Sequence, residues 1–222
     1  PMNTAVDVKP GDRLGFRGLR SGCRAYIAFA GGIAVPPVMG SRSTYLRAVI
    51  GGFQGRALLP GDELPLDELR SKPRLIKIPE GLIPEYKHEQ TIRIISGPEA
   101  HYFEIAGLRS FLSTEYTVTA QSDRMGYRLT GERINHKEGM TNIISAGISL
   151  GTVQVPGDGQ PIILMADRQT SGGYARIANV IAVDLTLLAQ MRPGDRIRVQ
   201  ETTLDISQQA FISRQHVLLD YR

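Results

Sequence analysis

Tryptophan is absent from the sequence and cysteine occurs once. No apolar run approaches the roughly 18 residues that a membrane-spanning helix needs, so no span is expected. The single Cys23 excludes an internal disulfide and points to a reducing compartment. It stands in SGCRAYIAF, at the start of an apolar stretch, and reads as a small core residue. A catalytic thiol needs a nearby histidine that the sequence does not supply. No signal peptide opens the chain, which reads as cytoplasmic. The opening PMNTAVDVKPGDRLGF lacks an initiating methionine and runs at once into a strand pattern, so a fragment or a processed chain is expected.

Nucleotide and metal signatures are missing too. There is no GxxxxGK followed by Ser or Thr, no GxGxxG after a strand and no GxSxG elbow. His88, His101, His136 and His216 lie far apart and form neither HxH nor HExxH, so spacing predicts no metal site. No Met-Lys-Met marks a biotinylated lysine, so no covalently bound cofactor is expected. The net charge of +4 comes from Lys and Arg that are spread rather than clustered. Without a basic stripe or a recognisable module, no nucleic-acid partner is expected.

What the chain has is glycine, 24 residues of it, with 13 prolines among 222 residues. Turns and short elements follow, which favours a mainly β fold with a few short helices. Pro-Gly-Asp recurs in VKPGDRLGF (8–16), LLPGDEL (58–64), MRPGDRI (191–197) and VPGDGQP (155–161). Pro presets φ at the second turn position and Gly takes a positive φ at the third, as a type II turn requires. Strands are predicted over RAYIAFA, RLIKIP, TIRIISG, EYTVTAQ, ISLGTVQVP, PIILMAD, NVIAVD and DRIRVQE. Helices are predicted in PEAHYFEIAGL, in DLTLLAQM behind an Asp184 cap, and in the tail LDISQQAFISRQHVLL. A polar boundary at 80–90 divides a β domain over 1–85 from a second β domain, with a helical tail over 201–222.

Four polar, glycine-rich stretches carry the chemistry. In the first, Ser41, Arg42, Ser43, Thr44, Tyr45 and Arg47 stand between glycine clusters. They read either as a ligand rim, where Arg holds a carboxylate or phosphate through two parallel hydrogen bonds, or as a helix start capped by Ser41 or Ser43. SDRMGYRLTG supplies Arg124 and Tyr127, with Asp123 and Arg124 open to a local ion pair. GTVQVPGDGQPI supplies Gln154. IILMADRQTSGGY runs from an apolar strand into Asp167, Arg168, Gln169 and Thr170, then Gly173 and Tyr174. Local chemistry leaves that last stretch balanced between an anion-holding rim and a hydrogen-bonded turn.

The stretches YIAFAGGIAVPPVMGSRSTYLRAVIGGFQGRALLPGD, SDRMGYRLTG, GTVQVPGDGQPIILMADRQTSGGYARIANVIAVDL and LAQMRPGDRI occur in this order. Together they resemble the biotin-dependent carboxyltransferase / allophanate hydrolase subunit 2 family over nearly the whole chain. That family includes the C subunit of bacterial 5-oxoprolinase, the regulator KipA, and half of the carboxyltransferase domain of urea carboxylase. The resemblance implies a cyclophilin-like β-barrel over 90–200, preceded by a second β domain. It also implies a subunit-1-type (B, KipI-like) partner and an A-type subunit, with ATP used by the assembled complex to open 5-oxoproline to L-glutamate. A urea or amide carboxyltransferase working with biotin, and a KipA-like regulator of a histidine-kinase inhibitor, are the alternatives it leaves. The implied substrate is a small amide or lactam. The implied catalytic region holds Asp167, Arg168 and Arg124; the substrate-binding region holds Ser41, Arg42, Thr44, Tyr45, Tyr127, Gln154, Gln169, Thr170, Gly173 and Tyr174.

Overall fold

Alternation of apolar and polar side chains closes the second half of the chain into a barrel. The computed structural model describes residues 2–69 and 76–220. By its internal contacts the chain divides into two units, Pro1–Leu14 with Ala25–Ile83, and Gly15–Arg24 with Pro84–Arg222.

The first unit is built from turns and short pairings. β1 (Thr44–Tyr45) meets β2 (Ile50–Gly51) antiparallel, and single bridges join Thr4 to Lys77 and Ile33 to Leu66. Val35 is its one buried hydrophobic side chain among the described residues. The expected strand over RAYIAFA does not form, and RLIKIP gives only the bridge at Lys77, its first two residues lying outside the described ones. β propensity makes a strand only where a neighbour pairs the backbone. The helix start weighed for Ser41 or Ser43 is likewise absent: Val38 and Ser41 exchange backbone hydrogen bonds in a tight turn that leads to β1.

In the second unit, β3 (Glu89–Ser96) carries Ile92 and Ile94 inward, and α1 (Ile105–Ser113) follows. β4 (Glu115–Val118), β5 (Gly126–Thr130), β6 (Asn142–Gly147), β7 (Thr152–Gln154), β8 (Ile162–Leu164), β9 (Ser171–Tyr174) and β10 (Arg176–Val180) come next. Then come α2 (Leu185–Leu188), β11 (Arg196–Glu201) and α3 (Leu204–Leu219), so the tail helix is where the sequence puts it. Seven strands form a closed barrel in the order β10-β3-β11-β4-β5-β8-β7, with β7 returning to β10. Every pairing around it is antiparallel except β11 with β3. Ile197, Tyr116, Tyr127, Val153 and Ile163 meet inside, and Phe111 of α1 and Leu188 of α2 join the same core. Fully burying each such side chain contributes about 1.5–3 kcal/mol.

Two expectations need correcting. Ser171–Tyr174 is not a turn but strand β9, paired with β6 in a ribbon outside the barrel. Asp184 does not cap α2 with its side chain. Its carboxylate instead takes Arg93 Nε at 3.0 Å, Nη2 at 2.6 Å and the Arg93 backbone N–H at 2.8 Å, a charge-assisted set that leaves it turned away from the helix start.

Candidate functional site

The strand–loop junctions of the barrel gather the polar groups. β5 begins and β8 ends on the same side, since Gly126 registers with Leu164. This brings Arg124, just ahead of β5, to Asp167, just beyond β8. Arg124 Nε donates to Asp167 Oδ2 at 2.8 Å and Nη2 to Oδ1 at 2.9 Å. The Asp167 N–H also donates to the Arg124 carbonyl. Asp123 takes no part in an ion pair with its neighbour: its Oδ1 accepts the N–H groups of Met125 and Gly126, a local turn that aims Arg124 outward. The result is a guanidinium and a carboxylate locked edge to edge, with side-chain exposures of 60% and 26%.

The neighbouring residues are fixed by backbone contacts. Arg168 Nε donates to the Ile148 carbonyl at 3.2 Å, and the Ile148 N–H returns to the Thr170 carbonyl. Gln169 and Thr170 are exposed. Gln154 is only 1% exposed. Its Nε2 donates to the Tyr174 carbonyl at 3.2 Å, and its carboxamide lies against Gly172. It therefore holds the β9–β10 corner, with Gly173 and half-exposed Tyr174 on the ribbon beside it. Tyr127 is buried; its hydroxyl donates to the Met191 carbonyl at 3.1 Å and accepts from Arg24 Nη1 at 2.8 Å. Ser41, Arg42, Thr44 and Tyr45 belong to the first unit. There Arg42 pairs with Asp67 at 2.5 Å, the Ser41 hydroxyl accepts the Ser43 N–H, and Thr44 and Tyr45 form β1.

A cleft of about 620 Å³ opens on the outer wall of the barrel, between β3, β10 and the loop ahead of β7. Thr170 reaches its edge. Ser149 Oγ and Thr152 Oγ1 both donate to Asn179 Oδ1, at 2.8 and 3.0 Å. Arg176 closes one side, gripping Glu99 through Nε and Nη2 at 2.6 Å each. That grip holds Glu99 below the usual carboxylate range, chiefly through the hydrogen bonds from Arg176. Sequence reading passed over Glu99, Ser149, Thr152, Arg176 and Asn179. The one signal was Asn179, an amide in an apolar strand where Asn is disfavoured.

Chemically, the Arg124–Asp167 pair sets a guanidinium beside a carboxylate. An amide presents the complementary edge, a C=O acceptor beside an N–H donor. No helix among the described residues is long and apolar enough to cross a membrane.

Comparison with known proteins adds the last finding. The model of the carboxyltransferase domain, subdomain A and B, matches residues 1–201. The 5-oxoprolinase C subunit of Escherichia coli (strain K12) is 40% identical over 200 residues, covering 90% of this chain and 63% of that relative. Its counterpart in Haemophilus influenzae is 39% identical, covering 89% and 62%. The chain thus spans somewhat less than two thirds of the length of these relatives. Urea amidolyase of Saccharomyces cerevisiae is 35% identical over 214 residues, covering 89% of this chain and 12% of that one. Among solved structures, urea amidolyase of K. lactis superposes with a TM-score of 0.83 at 28% identity, over 92% of this chain and 13% of that one.

Proposed function

The chain belongs to the carboxyltransferase family of subdomains A and B, and from that premise we propose that it is part of the C subunit of an ATP-dependent 5-oxoprolinase. Such an enzyme opens the lactam of 5-oxoproline to L-glutamate together with a B-type (subunit-1-type, KipI-like) and an A-type subunit. The observation that carries this reading is the identity of 40% and 39%, over about nine tenths of the chain, to two relatives named for that subunit. In this reading the Arg124–Asp167 edge, with Arg168 beside it, takes the ring amide. The carboxylate accepts the lactam N–H, and a guanidinium stabilises the negative charge that develops on the carbonyl oxygen during attack. ATP is consumed by the assembled complex, and the chain itself contributes binding and orientation.

A second reading is favoured by the urea amidolyase relatives, 35% identical in sequence and matching at a TM-score of 0.83 in structure. In it the same edge takes urea, and the carboxyl group arrives on biotin carried by another domain. Reconstitution separates the two. The full-length protein with its A- and B-type partners is expected to release glutamate from 5-oxoproline only with ATP, and avidin is expected to leave the rate unchanged. Folded subunits that give no ATP-dependent glutamate sink the first reading; an avidin-sensitive urea activity establishes the second.

A further inference from the structure

Arg24 is a half-buried arginine of the barrel unit whose partners differ in kind from those of its neighbours. Arg93, Arg124 and Arg176 each grip a carboxylate through two nitrogens. Arg24 donates instead from Nη1 to the Tyr127 hydroxyl at 2.8 Å and to the Ala189 carbonyl, with Cys23 Sγ at 3.1 Å. None of these is an acid. Burial pushes the Tyr127 phenol up, so it stays neutral and does not offset the charge. Among the described residues, Nε and Nη2 of Arg24 donate to nothing, and neither is sealed from solvent.

This arrangement is held from several directions. Gln190 clamps the backbone on both sides of the guanidinium: its Oε1 accepts the N–H groups of Cys23 and Arg24 at 2.9 and 2.8 Å, and its Nε2 donates to the Arg24 carbonyl at 3.0 Å. Gly22 makes the approach possible. Its φ is +68°, and a Cβ there would stand 2.6 Å from Gln190 Oε1. Arg124 lies near enough for its charge to oppose that of Arg24.

We infer that Arg24, braced by Tyr127 and Gln190, anchors the carboxylate of the substrate. This rests on the 5-oxoproline reading. The lactam carries a carboxylate next to its ring nitrogen and urea carries none, so a fixed guanidinium with an open edge has a partner in the first case only. The free edge matches the bidentate geometry of a carboxylate.

The test uses the full-length protein assembled with its partners. Arg24→Gln is expected to raise KM for 5-oxoproline roughly tenfold to a hundredfold, the worth of a charge-assisted hydrogen-bond pair. The turnover number and the KM for ATP stay nearly unchanged, and Arg24→Lys recovers part of the loss. The wild-type complex is expected to prefer 5-oxoproline over its carboxamide, and Arg24→Gln to erase that preference. An active complex with the same KM in Arg24→Gln overturns the inference and leaves the proposed function standing. So does a rise in the KM for ATP in place of that for 5-oxoproline, which would make Arg24 a phosphate contact. If Arg24→Gln does not assemble, the wild-type comparison decides, because equal use of acid and carboxamide also overturns it. A wild-type complex that does not open 5-oxoproline removes the functional reading and this inference with it.

Discussion

Asp167 meets Arg124 through two short side-chain contacts, and its backbone N–H donates to the Arg124 carbonyl. The pair reaches solvent mainly through Arg124, with side-chain exposures of 60% and 26%, and solvent-exposed pairs contribute only about 0–1 kcal/mol. Asp167→Ala and Arg168→Ala are therefore expected to abolish turnover of the assembled complex while the melting temperature moves little; unchanged turnover in both would place the chemistry elsewhere. His136 works the opposite way. It packs on Phe103, with centroids 4.5 Å apart, and its Nε2 lies 3.0 Å from the Val155 carbonyl. Burial holds its proton affinity below the ordinary value of 6.5. The folded chain then binds the proton less readily than the unfolded one, so the associated stability is full above pH 6.5 and is lost as the pH falls through the depressed value. Melting temperatures between about pH 8 and pH 5 are expected to fall less steeply in His136→Gln than in the wild type.

At the scale of elements, the Pro-Gly-Asp turns show how local chemistry repeats. In three of them the Asp N–H closes the turn onto the carbonyl three residues back: Asp12 to Lys9, Asp62 to Leu59, Asp195 to Arg192. Each carboxylate then accepts the N–H of that same first residue, at 2.8, 2.6 and 2.8 Å. Gly11, Gly61 and Gly194 all take φ near +90°. In VPGDGQP the positive φ falls on Gly159 and not on Gly157, so the fourth turn is of another kind. Gly194 has open space where a Cβ would go, so Gly194→Ala meets no clash and registers the backbone conformation alone. It is expected to cost about 1–2 kcal/mol, read as a lower denaturant midpoint at constant slope. These turns were legible because four adjacent residues decide them, and the strands carrying Ile92, Ile94, Ile197 and Val199 were legible from alternation. β9 was not: two of its four residues are glycine, which has no side chain to alternate, and its partner β6 lies across two intervening strands. Arg24 was hidden for a related reason. Beside Cys23 it looks like the start of a strand, and its meaning comes from Gln190, 166 residues further on.

At the scale of the molecule, the order of the glycine-rich stretches was more informative than any one of them. IILMADRQTSGGY by itself supports a turn and a rim equally. The structure divides it between strand β8, the Asp167–Arg124 lock and strand β9, three separate elements. The one parallel pairing, β11 beside β3, has a consequence for how the chain is made. β3 is synthesised before the rest of the barrel, yet the neighbour that shields it on that side is the last of the seven barrel strands to be made. Until then Ile92 and Ile94 sit on an open edge, and contacts this distant in sequence form slowly. Barrel closure therefore waits for β11, and until it pairs, the β3 edge is the part of the nascent barrel most open to wrong pairing.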